Sequence, residues 1–167
     1  MLLSLLLAAL APQNMTAAHP PKDTLMGNAC VPRFDYCIVY PAGFVEQPPS
    51  ANGDGAVALS ADGKAEVRTW GQIQLEDEWD MNWRIKEDLK TLKVVYKVIK
   101  PTSAIISGTD KKGNIVYEKV VLVDGNFKTL RFTYPAAEQA KYGWYCGYVA
   151  KAKMVGGESF DLHQHTH

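Results

Sequence analysis

Histidine is nearly missing from the body of this 167-residue chain: the four present are His19, His163, His165 and His167, all near the ends. A Ser-His-Asp or Cys-His centre needs an imidazole base within hydrogen-bond reach of its nucleophile, so the central stretch offers no site of that kind. Excess charge is missing too. Lysine plus arginine is 18 and aspartate plus glutamate is 18, a formal net charge of +0. That balance gives no electrostatic reason to expect nucleic acid or an anionic membrane as partner. Cysteine is scarce. Cys30, Cys37 and Cys146 stand with no histidine nearby and make a poor zinc shell, and Cys-x6-Cys is neither a redox nor a zinc spacing. The amino-terminal apolar run Leu2–Leu10 is too short to span a bilayer as a helix.

What that run does match is the apolar region of a secretory signal peptide. Thr16-Ala17-Ala18 offers a small-x-small cleavage site, whereas Pro12 hinders a cut after Ala9-Leu10-Ala11. The reading is a leader over 1–18, a flexible lead-in over 19–29, one globular domain over 30–155 and a flexible tail over 156–167. The protein is then periplasmic or secreted and not membrane-spanning once the leader is removed. Export permits disulfides. Three cysteines allow one intramolecular bridge and leave one thiol. Cys30–Cys146 is expected ahead of Cys37–Cys146, because Cys30 sits in a segment read as a loop free to reach the last helix.

Turn residues and periodicity divide the rest. Arg33–Pro41 reads as a strand, with Phe34, Tyr36, Ile38 and Tyr40 on one face and Asp35, Cys37 and Val39 on the other. A turn-rich loop follows to Gly55. Gly55–Ser60 and Ala65–Gly71 flank Asp62-Gly63 as a hairpin. Asp77–Leu92 reads as a helix whose apolar stripe is Trp79, Trp83, Lys86, Leu89 and Leu92, with acidic residues at its start. Val94–Lys100, Ser103–Thr109, Ile115–Val123 and Phe127–Tyr134 form an antiparallel meander. A second helix runs from Pro135 to about Lys153, with Tyr142, Tyr145, Cys146, Val149 and Lys153 along one side. The order implies an α+β domain, a central antiparallel β-sheet with helices packed on it.

Several segments resemble a family of uncharacterised exported bacterial proteins: Phe34-Asp35-Tyr36-Cys37-Ile38-Val39-Tyr40-Pro41, Asn52-Gly53-Asp54-Gly55, Ala61-Asp62-Gly63, Lys100-Pro101-Thr102, Ser107-Gly108-Thr109-Asp110, Lys112-Gly113-Asn114-Ile115-Val116-Tyr117, Tyr134-Pro135, and Lys141 through Cys146. The resemblance spans about 30 to 150 and supplies no catalytic residue. The element order also resembles the PsbP-like (Mog/DcrB-type) α/β/α sandwich. That fold-level likeness implies binding or assembly more than catalysis, and a fold does not fix a function.

Several constellations bear on chemistry. The tail His163-Gln164-His165-Thr166-His167 has the alternation of a loose transition-metal binder, but equally that of a simple chain end. Asn52-Gly53-Asp54-Gly55 fails as a calcium loop, since Ala56 and Gly63 stand where oxygen ligands are needed. Carboxylate pairs for a hydrolase are available from Asp35, Glu66 and Glu118, without a cleft to place them in. Asp35, if buried, requires an arginine, and Arg68 or Arg131 are the candidates. Trp70 and Trp144 are candidates for an aromatic binding surface, while Trp79 and Trp83 read as core. No cofactor is implied. The expected function is a non-enzymatic binding or interaction module of the bacterial cell envelope, with an unidentified protein or small ligand as partner. The alternatives are an immunity-type inhibitor of an exported toxin and a carboxylate-dependent hydrolase.

Overall fold

The computed structural model describes residues 26–156, so the leader and the histidine tail lie outside the described residues. Strands β1 (Gly27–Val31) and β2 (Tyr36–Tyr40) form a two-stranded antiparallel hairpin. Then come β3 (Val45–Glu46), β4 (Gly55–Leu59), β5 (Glu66–Ile73), helix α1 (Met81–Thr91), β6 (Lys93–Lys100), β7 (Ser103–Thr109), β8 (Asn114–Val123), β9 (Asn126–Pro135) and helix α2 (Gln139–Lys151). Strands β3 to β9 make one seven-stranded sheet in the order β3-β4-β5-β9-β8-β7-β6, antiparallel throughout. The long β8 and β9, joined by the tight turn at Asp124-Gly125, occupy its middle.

Both faces of the sheet are covered in part, which is why alternate residues of β8 and β9 can all be apolar or paired. On one face, α2 and the β1–β2 hairpin bury Val67, Leu130, Phe132 and Tyr134 against Tyr36, Ile38, Tyr142, Tyr145 and Val149. Tyr145 locks the two covering elements together by donating its hydroxyl proton to the carbonyl of Val39. Gly71 lies flat under the Phe34 ring, where an added Cβ would sit 2.2 Å from ring atoms. On the other face, α1 sets Met81 and Ile85 against Ala104, Ile106, Val120 and Phe127. Asp80 caps this helix by accepting the Trp83 amide at 2.8 Å, and that bond holds its carboxyl below the usual carboxylate range.

The hairpin is where expectation and structure part. The Arg33–Pro41 strand is two things. Pro32–Phe34 is a single 3-10 turn, and Asp35 sits in the left-handed region at φ 49°, reversing the chain. Residues 27–31, read as lead-in and loop, become a strand because that reversal brings them alongside β2. Cys30 is thereby placed directly opposite Cys37, with Cα atoms 4.0 Å apart, and these two form the disulfide. The expected Cys30–Cys146 bridge is not formed: Cys146 is a free, half-buried thiol on α2.

Helix α1 is shorter than read, starting at Met81, and turned by about one residue. Its buried side is Met81, Arg84 and Ile85, while Trp83 is 39% exposed and stacks on Trp79 with ring centroids 4.2 Å apart.

Candidate functional site

The face that α1 covers is covered incompletely. The helix lies over β6, β7 and β8, and the part of the sheet made by β4 and β5 stays open beside it. Two rows of side chains cross this face. One runs Val57, Arg68, Arg131, Glu118 across β4, β5, β9 and β8; the next runs Gly55, Trp70, Thr129, Val120. Strand alternation puts both rows on the same side of the sheet, two residues apart. The loop before β4 forms a wall. Its conformation is set by Ser50, which accepts the Gly55 amide at 3.2 Å, and by Asp54, which accepts from the Asn52 side-chain amide at 2.6 Å. Between loop and sheet lies a cavity of about 500 Å³, lined by Pro48, Ser50, Asp54, Val57, Arg68, Trp70 and Arg131 among others.

Two arginines directly opposite on paired strands repel each other unless counter-charges hold them. Here each has its own. Arg68 Nε donates to Glu66 at 2.7 Å on the solvent side, and that bond raises the Arg68 pKa. Arg131 Nε donates to Glu118, and its Nη2 donates to Asp88 of α1. Asp88 also accepts from Arg84 Nη1 at 2.7 Å, and Arg84 Nη2 donates to the Thr129 hydroxyl at 2.8 Å. The guanidinium carbons of Arg84 and Arg131 lie 5.5 and 5.3 Å from the Trp70 ring centroid. The result is a sealed chain, Arg84–Asp88–Arg131–Glu118, bordering an open cavity through Arg131 and Trp70.

Glu118 is the extreme member. It is 0% exposed, and its Oε1 has no hydrogen-bond partner among the described residues. Burial pushes its carboxyl up to about 7; the nearby Asp88 charge adds to the rise, while Arg131 and Arg84 oppose it.

The structure therefore sorts the residues singled out in the sequence. Arg68, Arg131 and Trp70 come together in one place. Asp35 does not join them. It is exposed, on the opposite side of the sheet, where it faces Lys128 and the chain near Gly156. An exposed carboxylate has no buried charge to satisfy, and Arg68 and Arg131 lie on the other face of the sheet, so neither arginine is its partner. Trp144 is also elsewhere, half-buried on α2 with its ring edge-on to Tyr145 at 5.7 Å. Glu118 had been one of several available carboxylates; Arg84 and Asp88 were missed. Both lie inside a helix read from its apolar stripe and the acidic residues at its start, and their i,i+4 relation is the signal that finds them.

Cys146 has a quieter setting. Its sulfur and the Tyr134 hydroxyl are 3.6 Å apart, and burial pushes the thiol up, away from the reactive thiolate. Among the described residues, no cluster of three or more His, Cys, Asp or Glu has the geometry to hold a metal, and no helix is long and apolar enough to cross a membrane.

Neither a family model nor a curated protein sequence matches the chain. Among solved structures, the solution structure of cyanobacterial PsbP (CyanoP) from Synechocystis sp. PCC 6803 aligns with a TM-score of 0.52 at 9% sequence identity, covering 86% of this chain and 95% of that one. At that identity the likeness is one of architecture: this chain has a PsbP-like α+β fold, an antiparallel sheet between helices.

Proposed function

We propose that this protein is a non-enzymatic binding module exported to the bacterial cell envelope, and that its small-molecule ligand enters the cavity over Arg68, Trp70 and Arg131. The observation that carries this reading is the cavity itself. It joins a flat aromatic floor, two guanidinium groups and the Ser50 hydroxyl in a space of ligand size. Arg68 holds Glu66 by two parallel hydrogen bonds, Nε at 2.7 Å and Nη2 at 3.1 Å, in a half-exposed pair, so an incoming carboxylate or phosphate competes with Glu66 for the same guanidinium fork. Arg131 is held by two carboxylates and contributes a fixed positive edge instead. The ligand that fits is an anion-bearing molecule with one flat apolar part.

Thermal unfolding against a panel of small carboxylates, phosphates and neutral sugars tests this. Anionic members with a planar group are expected to raise the melting temperature and quench Trp70. Arg68→Ala and the cavity-filling Val57→Trp should each abolish the effect. Stabilisation that survives in both variants would place the ligand elsewhere and refute the reading. A protein-directed role, as an inhibitor or assembly module, is favoured by one separate observation, the bare edge of β6.

A further inference from the structure

The two edges of the large sheet are finished differently. The β3 edge is two residues long and runs into Pro48-Pro49, which blocks further pairing. The β6 edge is eight residues long and, among the described residues, pairs only with β7. Its single bulge lies between Val94 and Tyr96, so Tyr96–Lys100 keeps a regular register with Ser103–Ser107 and presents an unbroken outer row of backbone groups. Neither covering layer reaches it fully: Val95 is 73% exposed, Tyr96 50% and Val98 37%. Next to Val95 a groove of about 350 Å³ runs between β7 and α2, bordered by Tyr117, Tyr134 and Gly143.

Charge on this edge has one sign. Lys93, Lys97 and Lys100 are exposed, none is in an ion pair among the described residues, and β6 contains no carboxylate. Lys111 and Lys112 lie in the turn after Thr109, the residue paired with Lys93. Lysines alone are a common guard against strand addition. They guard poorly against an acidic strand, and a guarded edge gains nothing from three exposed apolar side chains beside a groove. Register separates the faces: Lys97 pairs with Ile106 on the α1 side, while Tyr96 and Val98 pair with Ser107 and Ile105 on the α2 side.

We infer that β6 is a docking edge for an extended acidic segment of a partner protein, which adds to the sheet as an eighth strand. Its apolar residues lie on the Tyr96 and Val98 face, its acidic residues on the Lys97 face, and acidic ends meet Lys93 and Lys100. A second copy of this chain fits less well. Antiparallel self-pairing that overlaps the whole of β6 sets Lys93 against Lys100, and like charges directly opposite disfavour it.

The test uses the full chain and a blocked peptide that alternates glutamate with valine between paired terminal glutamates, its lysine–valine counterpart, and the same glutamate–valine peptide interrupted by proline. The first peptide is expected to bind, to slow amide exchange over Val95–Lys100, and to weaken as salt rises. The other two should bind at least about tenfold more weakly. The triple variant Lys93→Glu, Lys97→Glu, Lys100→Glu should reverse the preference towards the lysine–valine peptide. These positions are exposed, and unchanged circular dichroism confirms that the variant folds. Equal binding of all three peptides, binding without protection of β6, or dimerisation through β6 in the absence of peptide would overturn the inference. So would association of the edge with phosphatidylglycerol vesicles in place of peptide. The small-molecule reading fails by a different result, ligand stabilisation that survives in both Arg68→Ala and Val57→Trp, so the two are separable.

Discussion

Glu118 concentrates the electrostatic cost of this fold in one side chain. Its carboxyl ionises near 4.5 when hydrated and at about 7 in the native protein. Between those values the native state binds more protons than the unfolded state, so the stability this group confers is fully present below about pH 4.5 and is lost as pH rises through 7. The window is worth at most about 3 kcal/mol. Asp62 and Asp80, whose carboxyls are held down by hydrogen bonds from Ser60 and the Trp83 amide, act in the opposite sense, but below about pH 4, outside that window. Denaturant unfolding from pH 4.5 to 8 should therefore show a decline towards neutral pH that Glu118→Gln removes. An equal decline in the variant would mean that another group is responsible. The same residue shows the limit of reading single positions from sequence. Glu118 occupies an ordinary alternating position in a strand, and nothing local distinguishes it from the solvated Glu66. Its burial comes from a helix that begins 37 residues earlier in the chain. Cys30 is hidden for the complementary reason. Pro32 and the left-handed Asp35 turn the chain back within five residues, and a hairpin without an Asn-Gly or Asp-Gly signal reads as one strand and a loop.

At the level of elements, the meander was legible almost residue for residue, because Asp110–Asn114 and Asp124-Gly125 bound strands with regular alternation. Helix α1 is legible in existence and only in part in facing: Trp79, Leu89 and Leu92 pack at the edge of the core it covers, while Met81, Arg84 and Ile85 form its fully buried side. Half of its buried arc is polar: Arg84 and Asp88 point to the sheet because Arg131, Glu118 and Thr129 receive them there. A search for apolar spacing passes over such an arc and settles on the neighbouring one, which carries Trp79 and Trp83. The two facings make different forecasts. Ile85 is fully buried against the sheet, so Ile85→Ala should cost about 2–5 kcal/mol. Trp83 contributes a stacked pair at the surface, so Trp83→Ala should cost about 1–2 kcal/mol despite its greater size. Chemical denaturation of the two variants decides between them, and a reversed order would restore the tryptophan stripe as the core.

The whole molecule is one sheet serving two cores of unequal size. Beneath α2 and the disulfide-tied hairpin, a large cluster runs from Ala29 to Met154, knitted by aromatic contacts such as Phe132 with Tyr142 and Tyr145. Beneath α1 the cluster contains six buried apolar residues, and much of the remaining adhesion is ionic. Apolar burial at roughly 25 cal/mol per Å² gives the first face the greater share of stability. A buried ion pair adds little net, because desolvation offsets its attraction. Helix α1 should then be the first element to open, by a sub-global step that leaves β8, β9 and α2 in place. That step hydrates Glu118 and returns it towards its ordinary ionisation. Opening therefore becomes easier as pH rises from about 4.5 to 7, by the same ceiling of about 3 kcal/mol. Native-state hydrogen exchange, corrected for intrinsic rates, should give α1 amides a lower opening free energy than central β8 and β9 amides. Both opening free energies should fall together from pH 5 to pH 8 in the parent, since sub-global and global opening each hydrate Glu118, and neither should fall in Glu118→Gln. Identical opening free energies for α1 and β9 at both pH values would show that the two cores unfold only together. Since Arg84 and Arg131 both lie on Trp70, an α1 that opens first also loosens one side of the cavity, so a ligand bound over Trp70 should slow α1 exchange before any other.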